Sequence, residues 1–283
     1  MVEQLFNDNE FSLLRLAPTV LRARDFRLYT KGGQRLVDLW QNGGAAILGH
    51  TPPSLLREIK NTASRGLYAP FPHFLEGRYH TALSRIFPGR DFRLYAVPPP
   101  QLHTLAAAEN GGLNGSHTVA LWRPFLDPAA PLSVAENAPP VLIPVVPGIQ
   151  GWRGGLPLGL CVLAIRNGFE SPLPPVDFLP PVLLAAAARG IYDLIAAAPE
   201  RANPAYRRID RVFKTNRQVT CRWQRQGLYL SLKQTPSDEE WAALFRRFLD
   251  NGFLLPPVSS QTAILPGVLS PGEEAKLAEL LAN

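Results

Sequence analysis

At 283 residues the chain is long enough for two domains, its hydrophobic fraction of 46% supports a packed core, and its 29 prolines imply fixed turns rather than disorder. The formal net charge of +6 does not point to nucleic acid: the basic residues are mostly arginines scattered along the chain, and the densest group, Arg207, Arg208, Arg211 and Arg217, has the spacing of a solvated helix face. No run of about 18 apolar residues is evident and residues 1–9 are polar and acidic, so neither a membrane span nor a secretory leader is expected.

In chain order, residues 26–29 and 36–39 flank a Lys31-Gly32-Gly33 turn and predict a β-hairpin. Pro52 suits the first turn of a helix running to about residue 65. A second helix is predicted over 75–87, then a buried strand over 92–97 that Pro98-Pro99-Pro100 ends. Residues 101–108 read as a short helix and 110–115 as a loop. The apolar runs 119–125, 141–146 and 160–166 are of strand length without alternation, which predicts a parallel sheet covered on both faces. Residues 176–198 predict one long Ala/Leu-rich helix. Beyond Asn203, strands over 219–223 and 228–232 alternate with amphipathic helices over 237–251 and 271–281. The expected organisation is therefore an N-terminal hairpin segment, 1–40, packing on a small C-terminal domain, 201–283, with a larger domain, 41–200, between them.

The chemistry-bearing residue types are sparse. The histidines (His50, His73, His80, His103 and His117) lack metal-ligand spacing, and the two cysteines, Cys161 and Cys221, are too far apart for a zinc site. Both thiols read as buried and free, in a cytoplasmic protein. His50 lies in a Leu48-Gly49-His50 turn where a structural hydrogen bond is expected. Gly154-Gly155 has no dinucleotide-binding context.

The segment Gln150-Gly151-Trp152-Arg153-Gly154-Gly155-Leu156-Pro157-Leu158-Gly159 resembles the K-x-L-G-G-G-x-P-x-G segment of class III aminotransferases. The resemblance extends to the hairpin at 29–39, the Gly43-to-Pro52 turn with its Leu48-Gly49-His50, the Ala69-to-Glu76 segment and the C-terminal unit from Trp241 to Leu281. Within that family the pattern is most similar to glutamate-1-semialdehyde aminomutases, over roughly residues 26–97 and 141–281. It implies an α/β, fold type I large domain with a mostly parallel sheet plus a small α+β C-terminal domain. The large domain is expected to be trimmed, because only about twenty residues separate the strands at 92–97 and 119–125 where the family carries a long insert.

What the resemblance implies for pyridoxal phosphate is loss of its site. The family's Schiff-base lysine corresponds to Gln150, whose amide cannot form an imine. The aspartate that pairs with the pyridine nitrogen corresponds to Trp122, followed by Arg123. The phosphate loop is replaced by Pro98-Pro99-Pro100, which offers no N–H. The threonine that reaches the partner subunit's phosphate corresponds to Val176. None of the five lysines, Lys31, Lys60, Lys214, Lys233 and Lys276, carries a phosphate cradle beside it. The expectation is a non-catalytic binding or assembly protein without a cofactor. It is expected to be a homodimer, or a heterodimer with an active relative, with neither nucleic acid nor membrane as partner. Two alternatives stay open: residual pyridoxal-phosphate-dependent transaminase or aminomutase activity, and binding of a small anion in the vacated cleft by Arg123, Arg153, Gln150 and Asn42.

Overall fold

A computed structural model describes residues 12–99, 102, 118–153, 156–170, 173–204, 206–214 and 221–282, with the backbone alone for 152, 153, 156 and 158. The chain opens with an antiparallel meander, β1 (Val20–Arg24), β2 (Arg27–Thr30) and β3 (Arg35–Asp38). The predicted hairpin is its second half. β1 escaped notice because its side chains are almost all exposed and no alternation marks it.

Two helices follow, α1 (Pro53–Ala63) and α2 (Leu75–Ser84). Beyond them come β4 (Arg90–Tyr95), β5 (Val119–Trp122) and β6 (Val141–Pro144), a small hairpin of β7 (Gly151–Arg153) with β8 (Leu156–Leu158), and β9 (Cys161–Arg166). The central sheet has the order β4-β9-β6-β5. β5 and β6 run parallel, but β9 is antiparallel to both of its neighbours, so the all-parallel reading is corrected at that strand. The reason is the connection: the β7–β8 hairpin returns the chain directly, whereas a parallel neighbour needs a crossover, usually helical.

Both faces of the sheet are covered. Leu94, Leu142, Val162 and Ala164 join the main core with the helices, while Tyr95, Val119, Val141, Ile143, Cys161, Leu163 and Ile165 form a second cluster that includes Leu102 and Leu173. Burial on both sides is why these strands read as unbroken apolar runs. The long helix α3 (Pro181–Arg201) begins five residues later than predicted, since Pro181 occupies its first turn and the preceding Pro180 is extended. By length and composition α3 could cross a membrane, contrary to the expectation of no such segment. It instead packs along α1 and α2 and buries a face that runs from Leu184 through Ala188 and Ile191 to Ala198.

Past α3 lie α4 (Arg207–Lys214), the strands β10 (Trp223–Gln226) and β11 (Tyr229–Leu232), and α5 (Asp238–Asp250), followed by β12 (Phe253–Leu254), β13 (Ala263–Ile264) and α6 (Pro271–Ala282). Ser237 and Glu240 close a capping box on α5. β10, β11 and β13 form an antiparallel sheet, whereas β12 pairs parallel with β3 and so sews the N-terminal meander to the C-terminal unit. Arg27 grips Glu273 on α6 through both Nε (3.0 Å) and Nη2 (2.6 Å) across the same join. The predicted helix at 101–108 (Leu102 apart), the loop at 110–115 and residues 219–220 lie outside the described residues.

Candidate functional site

The carboxyl ends of β5 and β6 meet the turn after β3, and the residues singled out by sequence are distributed around this junction. The turn is unusual. Gln41, Asn42, Gly43 and Gly44 have φ of 49, 48, 66 and 108°, a left-handed run that costs non-glycine residues strain. Asp38, buried at the end of β3, holds it: its Oδ1 accepts from the N–H groups of Trp40 and Gln41, both at 2.9 Å, and its Oδ2 lies 2.8 Å from His50 Nε2. His50 thus has a structural partner, and no local pattern around Asp38 marks it as the organising acid. Gln41 is fully buried, with Nε2 donating to Ile264 O at 3.0 Å and Oε1 left without a partner.

Gln150 is 2% exposed. Its Oε1 accepts from Val146 N–H at 2.8 Å, and its Nε2 donates to Leu160 O at 3.0 Å and to Pro144 O at 3.4 Å. The side chain therefore ties the end of β6 to the start of β9, and both amide N–H groups are committed. Asn42 Nδ2 donates to the Gln150 carbonyl at 3.1 Å, so these two candidates do meet. They meet in each other and in backbone. This corrects the expectation for Gln150 alone, whose two amide N–H groups are both held by backbone carbonyls.

Trp122, at the end of β5, is buried: its Nε1 donates to Ser133 O at 3.2 Å and its ring stands edge-on to Phe87 at 4.8 Å. Val176 is 47% exposed. Its neighbour Asp177 is bound to the end of β4, donating its N–H to Leu94 O at 3.0 Å and accepting from Ala96 N–H at 2.9 Å. Beyond β4 the chain passes through Pro98 and Pro99, and Leu102 N–H returns to Pro99 O. For Arg153 the structure gives the backbone in β7 only.

Arg123 follows Trp122 at the end of β5. Its guanidinium lies over the Tyr229 ring, 5.7 Å from the centroid, and burial pushes its pKa down against a smaller upward pull from Tyr229. Tyr229 is itself raised, because burial disfavours the phenolate, and its hydroxyl donates to Pro124 O at 2.8 Å. Arg123 also lines a cavity of about 500 Å³ under the loop that follows β5. Among the described residues the other titratable groups show no reactive arrangement. Burial pushes the Cys161 thiol up to about 12, both cysteines are buried and free, and among the described residues no cluster could hold a metal ion. All five lysines are exposed.

No family model matches the chain. An uncharacterized protein of Treponema pallidum (strain Nichols) is 28% identical over 280 residues, covering 90% of this chain and 91% of that protein. Among solved structures, the acetylornithine aminotransferase of Elizabethkingia anophelis superposes with a TM-score of 0.60 at 11% identity, covering 94% of this chain and 93% of that one. A glutamate-1-semialdehyde aminomutase of Pseudomonas aeruginosa PAO1 gives a TM-score of 0.59 at 15% identity, with 94% and 86% covered. The chain has the α/β fold of the class III aminotransferases. At such identities the likeness concerns fold alone.

Proposed function

We propose that this protein is a non-catalytic member of the aminotransferase fold, with a trimmed large domain, a lost cofactor site and a role in binding or assembly. The observation that carries the reading is Gln150. Where the resemblance places a Schiff-base lysine, a buried carboxamide spends its donors and acceptor on the backbone of β6 and β9. A carboxamide nitrogen is not basic and forms no imine. The remaining positions do not fit pyridoxal phosphate either. Trp122 offers an indole already bonded to Ser133 where the ring nitrogen would require an acid. Pro98 and Pro99 provide no N–H to a phosphate, and Val176 has no hydroxyl. A relocated Schiff base is disfavoured because every lysine is exposed. The trimming is supported by the order β4-β9-β6-β5, in which the two strands flanking the short connection end as opposite edges of the sheet. A relative matched over 91% of its own length also suits a reduction that is inherited.

Purified protein incubated with pyridoxal phosphate should show no absorbance band at about 410–430 nm and no borohydride-fixed adduct. A stoichiometric adduct would return the protein to the transaminase or aminomutase class.

A second reading, binding of a small anion, is favoured by one observation. Arg123 is a half-buried cation with no acid within ion-pair distance among the described residues, and burying such a charge is costly unless something pairs with it. Arg153 remains a candidate second contact.

A further inference from the structure

We infer that the cavity beneath the loop after β5 is a binding site for a small monocarboxylate with an apolar body, anchored by Arg123. The inference rests on the anion-binding reading above and deepens it by naming the ligand class and placing the site in a cavity that Arg123 lines and Gln150 does not.

β5 is the last strand of the central sheet, so its outer edge has no strand neighbour among the described residues. The loop that follows folds back over it: Phe125 N–H donates to Pro131 O, and Trp122 Nε1 reaches Ser133 O. Between the loop and the sheet lies a space of about 500 Å³, within the range of roughly 300–1,000 Å³ usual for small-molecule sites. Ala120, Trp122 and Leu142 supply its floor, and Leu126, Pro131 and Val134 line the loop side. The register pairs Ala120 with Leu142, which puts these floor residues on one face of β5 and β6.

Arg123 is the cation of this largely apolar space. Its guanidinium lies over the Tyr229 ring, which is itself held by the hydroxyl bond to Pro124. No carboxylate lies within ion-pair distance of it among the described residues, and burial disfavours its charge. Asp127 also lines the cavity, yet it is exposed, and its Oδ1 caps Ala129 N–H at 2.9 Å.

This arrangement selects among anions. A planar guanidinium fork matches a carboxylate in two parallel hydrogen bonds. A phosphate dianion would meet one cation and one nearby acid, with no helix N-terminus or backbone cradle to share its charge. Apolar walls favour a branched aliphatic or aryl body over a polar one.

Titration calorimetry on the full chain with 4-methylpentanoate and phenylacetate, their primary amides, and inorganic phosphate tests this. Both carboxylates should bind saturably and the amides should not. Arg123→Gln should weaken carboxylate binding by about 30-fold or more, while raising or leaving unchanged the melting temperature of the free protein, since it removes a half-buried charge that has no acidic partner among the described residues. Arg123→Lys keeps the charge but loses the fork, and should weaken binding at least about tenfold. Carboxylate binding that survives both substitutions overturns the site, and tighter binding of phosphate than of either carboxylate overturns the ligand class. If none of the probes, phosphate included, binds the wild type, the anion-binding reading falls along with it.

Discussion

Restoring a lysine at position 150 separates a site lost at one residue from a site lost throughout. The Gln150 amide satisfies Val146 N–H, Leu160 O and Pro144 O in a place that is 2% exposed. Gln150→Lys leaves Val146 N–H without its acceptor and buries an amine where the surrounding groups are carbonyls. The substitution should therefore destabilise the fold by roughly 2–5 kcal/mol, read from denaturant unfolding. Amino-group exchange from an amino acid donor should stay at background, because Trp122, Pro98 and Val176 still stand where a ring partner and phosphate contacts would be required. Measurable exchange would show that the ring and phosphate contacts of the site survive. At this scale the sequence was informative about what is missing and uninformative about what replaced it. A glutamine at the lysine position is visible in a motif, but its three backbone partners come from both sides of a hairpin and no local pattern announces them. Asp38 escaped for the same reason: it looks like one more strand-end acid until the fold brings the left-handed turn and His50 to it.

Elements were legible where proline, capping or periodicity marked them, and illegible where pairing depended on distant chain. Pro52 announces α1 and amphipathic periodicity announces α5, whereas the Ala/Leu run announces α3 without its start, which Pro181 sets five residues later than expected. The two-residue strands β12 and β13 have no signature of their own, and the direction of β9 follows from a hairpin that glycines disguised as a plain turn. Two junctions between elements can be tested. Gly190 on α3 approaches the carbonyl of Pro147, the turn that leads from β6 to Gln150, so closely that a Cβ would lie 2.4 Å from that oxygen. Gly190→Ala gains about 1 kcal/mol of helix propensity, but the clash forces helix and turn apart. The net should be a loss of about 1–3 kcal/mol in unfolding free energy; an unchanged or higher stability would mean that α3 is not seated on the turn as described.

The second junction is Glu273. Burial raises its pKa, but the hydrogen bond from Arg27, those from the Ser270 backbone and hydroxyl, and the Arg27 charge outweigh that and hold the carboxyl at about 2, below its ordinary 4.5. A depressed carboxylate contributes stability that is present above about 4.5 and is lost as pH falls through about 2. Glu273→Gln should thus cost roughly 1–2 kcal/mol at neutral pH, allowing for partial screening by solvent, and its deficit relative to wild type should shrink as pH falls from 4.5 toward 2. A deficit that stays constant across that window would remove the Arg27 pair as the link between meander and α6.

For the whole molecule the open matter is assembly, and the exposed apolar side chains bear on it. Val97, Val176 and Phe178 are 60, 47 and 61% exposed. They lie near one another because Asp177 is bonded to Leu94 and Ala96 at the end of β4. Tyr68, Phe71 and Phe74 are exposed in the segment before α2. Single exposed apolar residues need no explanation, whereas grouped ones mark a surface that something covers. The resemblance places Val176 where the family reaches its partner subunit, so a second copy of this chain is the occupant most consistent with the position, with a two-fold, self-complementary contact. Three side chains fall short of the roughly 1,000 Å² that a stable interface requires, and the 68–74 segment would have to contribute as well. Light scattering coupled to gel filtration at about 10 μM, a concentration at which a micromolar or tighter dimer persists, should give twice the chain mass. Val176→Asp with Phe178→Asp should shift it toward the single chain, since unpaired charges at a contact cost several kcal/mol, while circular dichroism stays unchanged because both residues are exposed before association. A wild type that runs as a monomer would leave pairing with a different chain as the form in which this surface is used, and co-purification with an aminotransferase that retains its lysine would then be the result to look for.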